Sequence, residues 1–174
     1  MALLPIIIAP DPRLKIKTRA VGAVDTEVRQ LMNDMLETMY DANGIGLAAP
    51  QVGDQRSVIV IDVTGKEEEP SPICMANPEI VWVSDEDSLH AEGCLSLPEH
   101  YADVVRPDFV RVRYLDETAA ECMLEVDGML ATCVQHEIDH LEGVLFVDHL
   151  TSLKRNIILR KLVKTKRQAV AKSA

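Results

Sequence analysis

The spacing of apolar residues predicts two helices ahead of the C-terminal tail. Across 24–41, apolar side chains recur three or four positions apart, which is the period of a helix with one buried face. Asp25 can cap its first turn and Gly44 can end it. A second helix over Gly128–Leu141 is apolar on several sides, so we expect it to be central and buried. The stripe of the first helix, interpreted as core, is Val28, Leu31, Met32, Met35, Leu36 and Met39.

Shorter runs, most of them rich in β-branched or aromatic residues, predict strands. The predicted strands are 57–63, 79–83, 109–115 and 122–126. Between them, the Lys-Glu-Glu-Glu-Pro run at 66–70 predicts a solvated turn, and 85–87 an acidic loop. Strands and helices together indicate an α+β fold, in which antiparallel β-sheets surround the central helix and a further helix ends the chain.

Charge is divided unevenly along the chain. Residues 151–174 carry eight Lys or Arg and no acid, so their +8 leaves −18 on residues 1–150 of a chain whose net charge is −10. We expect 151–174 to form a basic helix within the same domain as 1–150. Two interpretations of this charge distribution are equally consistent with the sequence. The basic helix docks on an anionic partner, or it is solvated and offsets the negative charge of residues 1–150. The predicted packing face is Ile157, Ile158, Leu159, Leu162 and Val163; the predicted solvent face is Lys154, Arg160, Lys161, Lys164 and Arg167.

Length and cysteine usage narrow the class of protein. A chain of 174 residues suits one domain with its own core. Four irregularly spaced cysteines and a start without a basic secretory n-region indicate a reducing compartment, so we expect a cytoplasmic location. No apolar run approaches the ~20 residues needed to cross a bilayer. Neither a membrane nor DNA is expected as a partner.

The segment Gln-His-Glu-Ile-Asp-His at 135–140 carries the strongest chemical signal. On a helix, His136 and His140 lie on one face a turn apart, so both can bind one cation while Glu137 lies beside it. Two imidazoles and a third protein ligand leave one position for water, whose proton Glu137 can accept. The chain has only five histidines, so this spacing is uncommon by chance. We therefore predict a metal-dependent hydrolase.

The third ligand separates the classes of hydrolase. Metzincin proteases continue to a third histidine, where this chain has Phe146, and gluzincin proteases need a downstream Glu, whereas the last acid here is Asp148. The ligand is therefore expected upstream, and Cys94 within Glu-Gly-Cys-Leu-Ser-Leu-Pro (92–98) is the candidate, on an exposed turn or strand edge. Cys74, Cys122 and Cys133 are interpreted as small buried hydrophobes, with Cys133 near the site.

A third segment, Gly-Ile-Gly-Leu-Ala-Ala-Pro-Gln at 44–51, has little side-chain bulk. Its glycines allow a substrate backbone to approach closely, and Gln51 offers a neutral N–H donor for an oxyanion. Taken alone, the segment also fits a glycine-rich helix stop before a strand. It is not a phosphate-binding loop, because no Gly-Lys-Ser/Thr follows.

The three segments GIGLAAPQ (44–51), EGCLS (92–96) and QHEIDH (135–140), in this order and spacing, resemble the signature motifs of the peptide deformylases. The resemblance extends over nearly the whole chain and is closest to the Gram-negative type of the family. It implies removal of the formyl group from the N-terminal formyl-methionine of newly made polypeptides, with release of formate.

The resemblance also implies roles for single residues. One divalent cation is expected, most often Fe²⁺, for which Zn²⁺, Ni²⁺ or Co²⁺ can substitute. Its implied ligands are Cys94, His136 and His140; the general base is Glu137; and the oxyanion donors are Gln51 and the backbone N–H of Leu95. Substrate contacts are expected at Gly44, Ile45, Gly46, Glu92, Gly93, Met129 and Cys133.

Further expectations concern the surroundings of this site. Asp139 or Glu92 could accept the N–H of a ligating histidine, and a surface salt bridge fits either residue equally well. Tyr101 stands where close relatives often carry Arg on the rim of the substrate cleft, which leaves the peptide preference after methionine open. In the family the C-terminal helix binds the ribosome, so the expected partners are nascent formyl-methionyl polypeptides and the ribosome.

Two other functions fit the HExxH pattern itself. A metalloprotease or aminopeptidase would use the same water and glutamate chemistry. A non-catalytic metal-binding module would use the histidines and leave Glu137 without a purpose.

Overall fold

A helix begins the fold, seven strands follow it, and two helices end it, in a computed structural model that describes residues 2–65 and 67–173. The helices are α1 (Thr26–Asp41), α2 (Gly128–Leu141) and α3 (Ser152–Lys172). The strands are β1 (Gly46–Ala48), β2 (Val58–Ile61), β3 (Ile73–Val83), β4 (Asp87–Cys94), β5 (Leu97–Pro107), β6 (Phe109–Leu115) and β7 (Glu121–Asp127). Met1, Ala174 and Lys66 of the predicted solvated turn lie outside the described residues.

Five strands form an antiparallel sheet in the order β1-β2-β3-β6-β7, and β4 pairs with β5 in a separate hairpin. The large sheet lies between the first two helices. Val58 and Val60 of β2 pack in the cluster that contains the buried side chains of α1, whereas Ile59 and Ile61 pack in the cluster that contains those of α2. Successive residues of a strand point to opposite faces, so β2 is buried on both. The predicted α+β fold with antiparallel sheets around a central helix is confirmed.

Helix α1 begins two residues later than the spacing predicted. Asp25 is extended and acts as the N-cap, its side chain accepting a hydrogen bond from the Val28 N–H at 2.9 Å. The end also differs in detail, because Asn43 takes the left-handed conformation at φ 56° ahead of the predicted stop at Gly44. The stripe faces the core as predicted: Val28, Leu31, Met32, Met35 and Met39 are buried, and Leu36 is partly buried.

The strand predictions were accurate for β6 and β7, too long at 57–63, where β2 covers only Val58–Ile61, and incomplete elsewhere. The predicted strand at 79–83 is only the second half of β3, because Pro78 and the positive φ of Asn77 interrupt the pattern while the strand continues through a register shift. The β4–β5 hairpin and the short β1 were missed. Asp87 belongs to β4, so the predicted acidic loop at 85–87 is shorter than expected.

Helix α3 packs on the body through few residues. Leu162 is buried, and Ile158, Leu159 and Val163 are partly buried. The prediction was wrong for Ile157, which is 43% exposed and borders a groove beside β5. The predicted solvent face is exposed at all five of its basic residues, Lys154, Arg160, Lys161, Lys164 and Arg167. Within residues 2–65 and 67–173, no helix has the length and apolar character required to cross a membrane.

Candidate metal centre and active site

Three side chains converge at one point between α2 and the end of β4. His136 and His140 come from consecutive turns of α2, and Cys94 is the last residue of β4. One ligand atom from each lies within 4.8 Å of the other two, and the Cys94 Sγ is 3.3 Å from the His140 Nε2. Tetrahedral bonds of ~2.1–2.3 Å to a cation separate neighbouring ligand atoms by roughly 3.5 Å. This one-thiol, two-imidazole set therefore fits a divalent cation.

Glu92 orients one of the two imidazoles. The His136 Nδ1 donates to the Glu92 Oε2 at 2.9 Å, and this leaves the Nε2 lone pair for a cation. The predicted role of Glu92 as acceptor therefore agrees with the structure. Asp139 has the alternative role, that of an ion-pair partner, and accepts from the Arg106 Nη1 at 2.9 Å and from the His149 Nε2 at 2.8 Å.

Arg106 was not identified from the sequence, yet it holds this region together. Its guanidinium is buried and donates to both oxygens of Glu92, with Nη2 3.0 Å from Oε2. Burial alone would raise the pKa of Glu92, but hydrogen bonds from His136 and Arg106 outweigh it and lower the pKa to about 2. The sequence did contain one indication. Arg106 lies two residues after Val104 on β5, so its side chain points to the same inward face as that buried valine.

The two histidines experience opposite electrostatic environments. Burial lowers the pKa of His140 well below the usual range, which favours the neutral imidazole that binds cations. Its Nδ1 has no hydrogen-bond partner among the described residues. Burial would also lower the pKa of His136, but hydrogen bonds with Cys94 and Glu92 outweigh burial and raise it. A cation at the Nε2 would take the place of that proton.

Glu137 lies beside this centre with its carboxyl buried. Burial raises the pKa of Glu137 to about 7, and Oε2 has no hydrogen-bond partner among the described residues. The opposite wall is the backbone of Gly46, where an added Cβ would lie 2.4 Å from the Glu137 Oε1. Only glycine at 46 leaves the carboxyl in place.

Gln51 is held in a single orientation by β1 and the turn after Cys94. Its Oε1 accepts from the Ala48 N–H at 2.9 Å, so its amide nitrogen must point the other way. That Nε2 donates to the Ser96 Oγ at 3.1 Å and lies 3.4 Å from the Cys94 Sγ. The amide therefore presents an N–H beside the candidate ligands.

A cavity of about 450 Å³ opens onto these groups. All seven predicted substrate-contact residues line it: Gly44, Ile45, Gly46, Glu92, Gly93, Met129 and Cys133. Gln51, Cys94, Leu95, His136 and Glu137 also line it, whereas His140 does not. The sequence interpretation missed Thr132 on this wall, although it stands one turn before His136. Cys74 and Cys133 are buried as predicted; the prediction was wrong for Cys122, which is partly exposed on β7.

Comparisons with known proteins match almost the whole chain to peptide deformylases. The family model for polypeptide deformylase matches residues 3–156. The peptide deformylase of Methylocella silvestris is 57% identical over 167 residues, which cover 94% of this chain and 85% of that one. The peptide deformylase of Agrobacterium fabrum is 50% identical, covering 98% and 100%. A crystal structure of peptide deformylase from Ehrlichia chaffeensis superposes with a TM-score of 0.93 at 39% identity, covering 97% and 99%.

Replacing Arg106 with Met should destabilise the protein strongly. The change leaves the Glu92 carboxylate buried without its main partner, a defect that typically lowers the free energy of unfolding by about 3–5 kcal/mol. Urea unfolding in the presence of a chelator would measure the loss without a contribution from bound metal. The control is Arg113→Met, which removes an exposed pair with Glu79 and should leave stability close to that of the unmodified protein. Equal effects of the two variants would contradict the assigned role of Arg106.

Proposed function

The chain belongs to the polypeptide deformylase family, and from this premise we propose that it removes the formyl group from the N-terminal formyl-methionine of newly made polypeptides. The observation that carries the proposal is the convergence of Cys94, His136 and His140 beside Glu137, on a pocket that also receives the Gln51 amide. The proposed products are formate and a polypeptide with a free amino terminus.

We propose that Cys94, His136 and His140 hold one divalent cation, with Fe²⁺ as the native ion and Zn²⁺, Ni²⁺ or Co²⁺ as possible substitutes. When bound, such a cation activates a water molecule and polarises the formyl carbonyl as a Lewis acid. Glu92 supports the site by accepting the His136 Nδ1–H, which fixes the tautomer and the plane of the ring.

Glu137 performs the proton transfers in this proposal. Its carboxylate accepts a proton from the attacking water as the water oxygen bonds to the formyl carbon. The same carboxyl then gives that proton to the methionine nitrogen as the carbon–nitrogen bond breaks. Contact with the Gly46 backbone keeps Glu137 in position between the two transfers.

Gln51 and the backbone N–H of Leu95 are proposed to stabilise the carbonyl oxygen as it gains negative charge. The orientation of Gln51 is fixed before substrate binds, because the Ala48 N–H occupies its carbonyl oxygen. A donor that is already oriented needs no rearrangement in the transition state.

The pocket suits an extended peptide with a small acyl group. Gly44, Ile45 and Gly46 present backbone on one side, and Glu92 and Gly93 lie on the other. Met129 and Cys133 add apolar wall, on which the methionine side chain is proposed to pack. The formyl carbon bears only hydrogen, so a narrow site can admit it and exclude larger acyl groups.

A formate-release assay on formyl-Met-Ala, with Met-Ala-Ser as the test for aminopeptidase activity, separates this function from peptide hydrolysis.

Glu137→Gln should abolish turnover and retain the metal. The amide has nearly the same shape but cannot accept the proton, and loss of a positioned base typically lowers the rate ~10²–10⁴-fold. Formate release and metal content would be measured on the same preparation. Glu142→Gln, at an exposed carboxylate paired with Lys17, is the matched control and should leave the rate unchanged. Loss of metal from folded Glu137→Gln protein would mean that Glu137 is a ligand.

Cys94→Ser should weaken metal binding, whereas Cys74→Ser, at a buried cysteine in the α1 cluster, should leave it unchanged. If the Cys94 thiolate binds iron, activity should decay in air by oxidation of metal or sulfur, and nickel should slow that decay. The measurements are metal titration and activity half-life under oxygen. Equal half-lives for the iron and nickel forms would argue against the assignment.

We further propose that α3 docks on an anionic surface of the ribosome. Arg160, Lys161, Lys164 and Arg167 are exposed along the helix, while the rest of the chain carries the excess of acids. Arg155 is partly engaged, with Nη1 3.8 Å from the Asp148 Oδ1. The exposed charges are therefore held on a helix whose first half is anchored through Leu162.

The double variant Arg160→Glu/Lys164→Glu should cosediment less with ribosomes and hydrolyse short formyl peptides at the normal rate. Substitution is preferable to truncation, because truncation would remove the buried Leu162. Binding by the unmodified protein should weaken as salt rises, since phosphate contacts release counterions. Arg29→Glu/Arg113→Glu makes the same charge change on the body and serves as the control. Unchanged cosedimentation of the α3 variant at low and moderate salt would contradict the docking proposal.

A further inference from the structure

The β4–β5 hairpin exposes apolar side chains on the face that points away from the core. Cross-strand pairing places Leu89 opposite Val105, Ala91 opposite Asp103 and Gly93 opposite Tyr101. These six residues form what we call the outer hairpin face. Exposure reaches 62% at Leu89, 73% at Tyr101 and 60% at Val105. The opposite face carries the buried Glu92, Val104 and Arg106, so the usual alternation of polar and apolar faces is reversed.

The outer hairpin face is continuous with the metal pocket. Ala91, Gly93 and Tyr101 line the pocket, and the Tyr101 ring lies against Gly93 so closely that an added Cβ would be 2.4 Å from the ring. The absence of a side chain at Gly93 therefore allows the ring to lie flat across the hairpin at the edge of the pocket.

The same wall continues into a second groove between β5 and α3. Ala91 and Tyr101 line this groove too, together with Asp103 of the hairpin and with Lys154 and Ile157 of α3. Ile157 is the residue whose exposure departed from the sequence prediction. Leu153 and Val170 are also exposed apolar residues of α3, but of these three only Ile157 lines the groove, where its side chain has a purpose if a ligand covers it.

We propose that this groove, from Tyr101 to Ile157, binds the stretch of the substrate polypeptide that follows the residues held in the metal pocket. The inference rests on the proposed function, which fixes the formylated end at the cation. A chain leaving the pocket past the shared wall of Ala91 and Tyr101 enters the groove directly. Apolar side chains of the substrate would pack on Tyr101 and Ile157, between the charges of Asp103 and Lys154.

Strand geometry gives the length of substrate that the groove affects. Residues in extended conformation advance ~3.3 Å each, and we assign the groove, which adjoins the pocket at Ala91 and Tyr101, to about the fourth to sixth residues of the polypeptide. Because the contacts are apolar, an apolar residue at those positions should lower KM and leave kcat unchanged.

The test compares formyl-Met-Ala-Ser with two hexapeptides that extend it by three residues. One hexapeptide ends in Leu-Phe-Leu and the other ends in Ser-Gly-Ser. With metal-loaded protein, the apolar extension should have a KM about five- to tenfold lower than the polar one, at equal kcat. Ile157→Ser should reduce that ratio to about two and leave the tripeptide rate unchanged. Val170→Ser is the matched control, because Val170 is 65% exposed on the same helix and does not border the groove.

The outcomes separate the inference from the function on which it rests. Equal KM values for the two extensions, or a full apolar preference in Ile157→Ser, would overturn the groove assignment while formate release from the tripeptide still supported the deformylase proposal. No formate from the tripeptide would overturn the function itself. If the two extended peptides have equal KM values and Ile157→Ser cosediments less with ribosomes, the groove belongs to a different partner and the proposal is contradicted.

Discussion

The buried ion pair between Arg106 and Glu92 is the interaction on which the site depends. Two charges inside a protein are expensive to desolvate, and they are tolerated when each is bonded on several sides. Glu92 is bonded by Arg106 and His136, and Arg106 is bonded by Glu92 and Asp139. This network joins the β4–β5 hairpin to α2, and those two elements supply the three candidate ligands. Cys94 therefore stands near the histidines because the hairpin that ends at Cys94 is fixed to their helix.

The large sheet positions the remaining groups from the other direction. Strand β1 pairs with β2 and brings Gly46 against Glu137, and the 3₁₀ turn Ala49–Val52 that follows β1 delivers Gln51. Burial of β2 on both faces fixes its register, because a slip of one residue would exchange the sets that face α1 and α2. Strand β1, the edge strand that lines the pocket at Gly46, is thus paired with a strand buried on both faces.

The sequence predicted most of what periodicity and spacing can express. HExxH on a helix, an upstream cysteine and a low-bulk segment ending in glutamine all rest on local geometry, and the structure brings them together. The β4–β5 hairpin escaped because its outward residues are apolar and its inward residues include Glu92 and Arg106, the reverse of the usual signal. The partner of Asp139 escaped because a helix position alone does not reveal which strand faces it. Ile157 escaped because a period of 3.6 identifies an apolar stripe without showing where the body beneath it ends.

The methionines of α1 have a consequence for how this protein can change over time. Met32, Met35 and Met39 pack on one side of the sheet, and their unbranched, flexible side chains adapt to altered neighbours with little strain. The other side is filled mainly by branched and small residues against α2, where there is less freedom to adjust. Sequence drift can therefore accumulate on the α1 side while the sheet absorbs the small displacements that follow. Helix α2, which carries the candidate ligands His136 and His140, is in this way separated from changes in the part of the core that lies on the other side of the sheet.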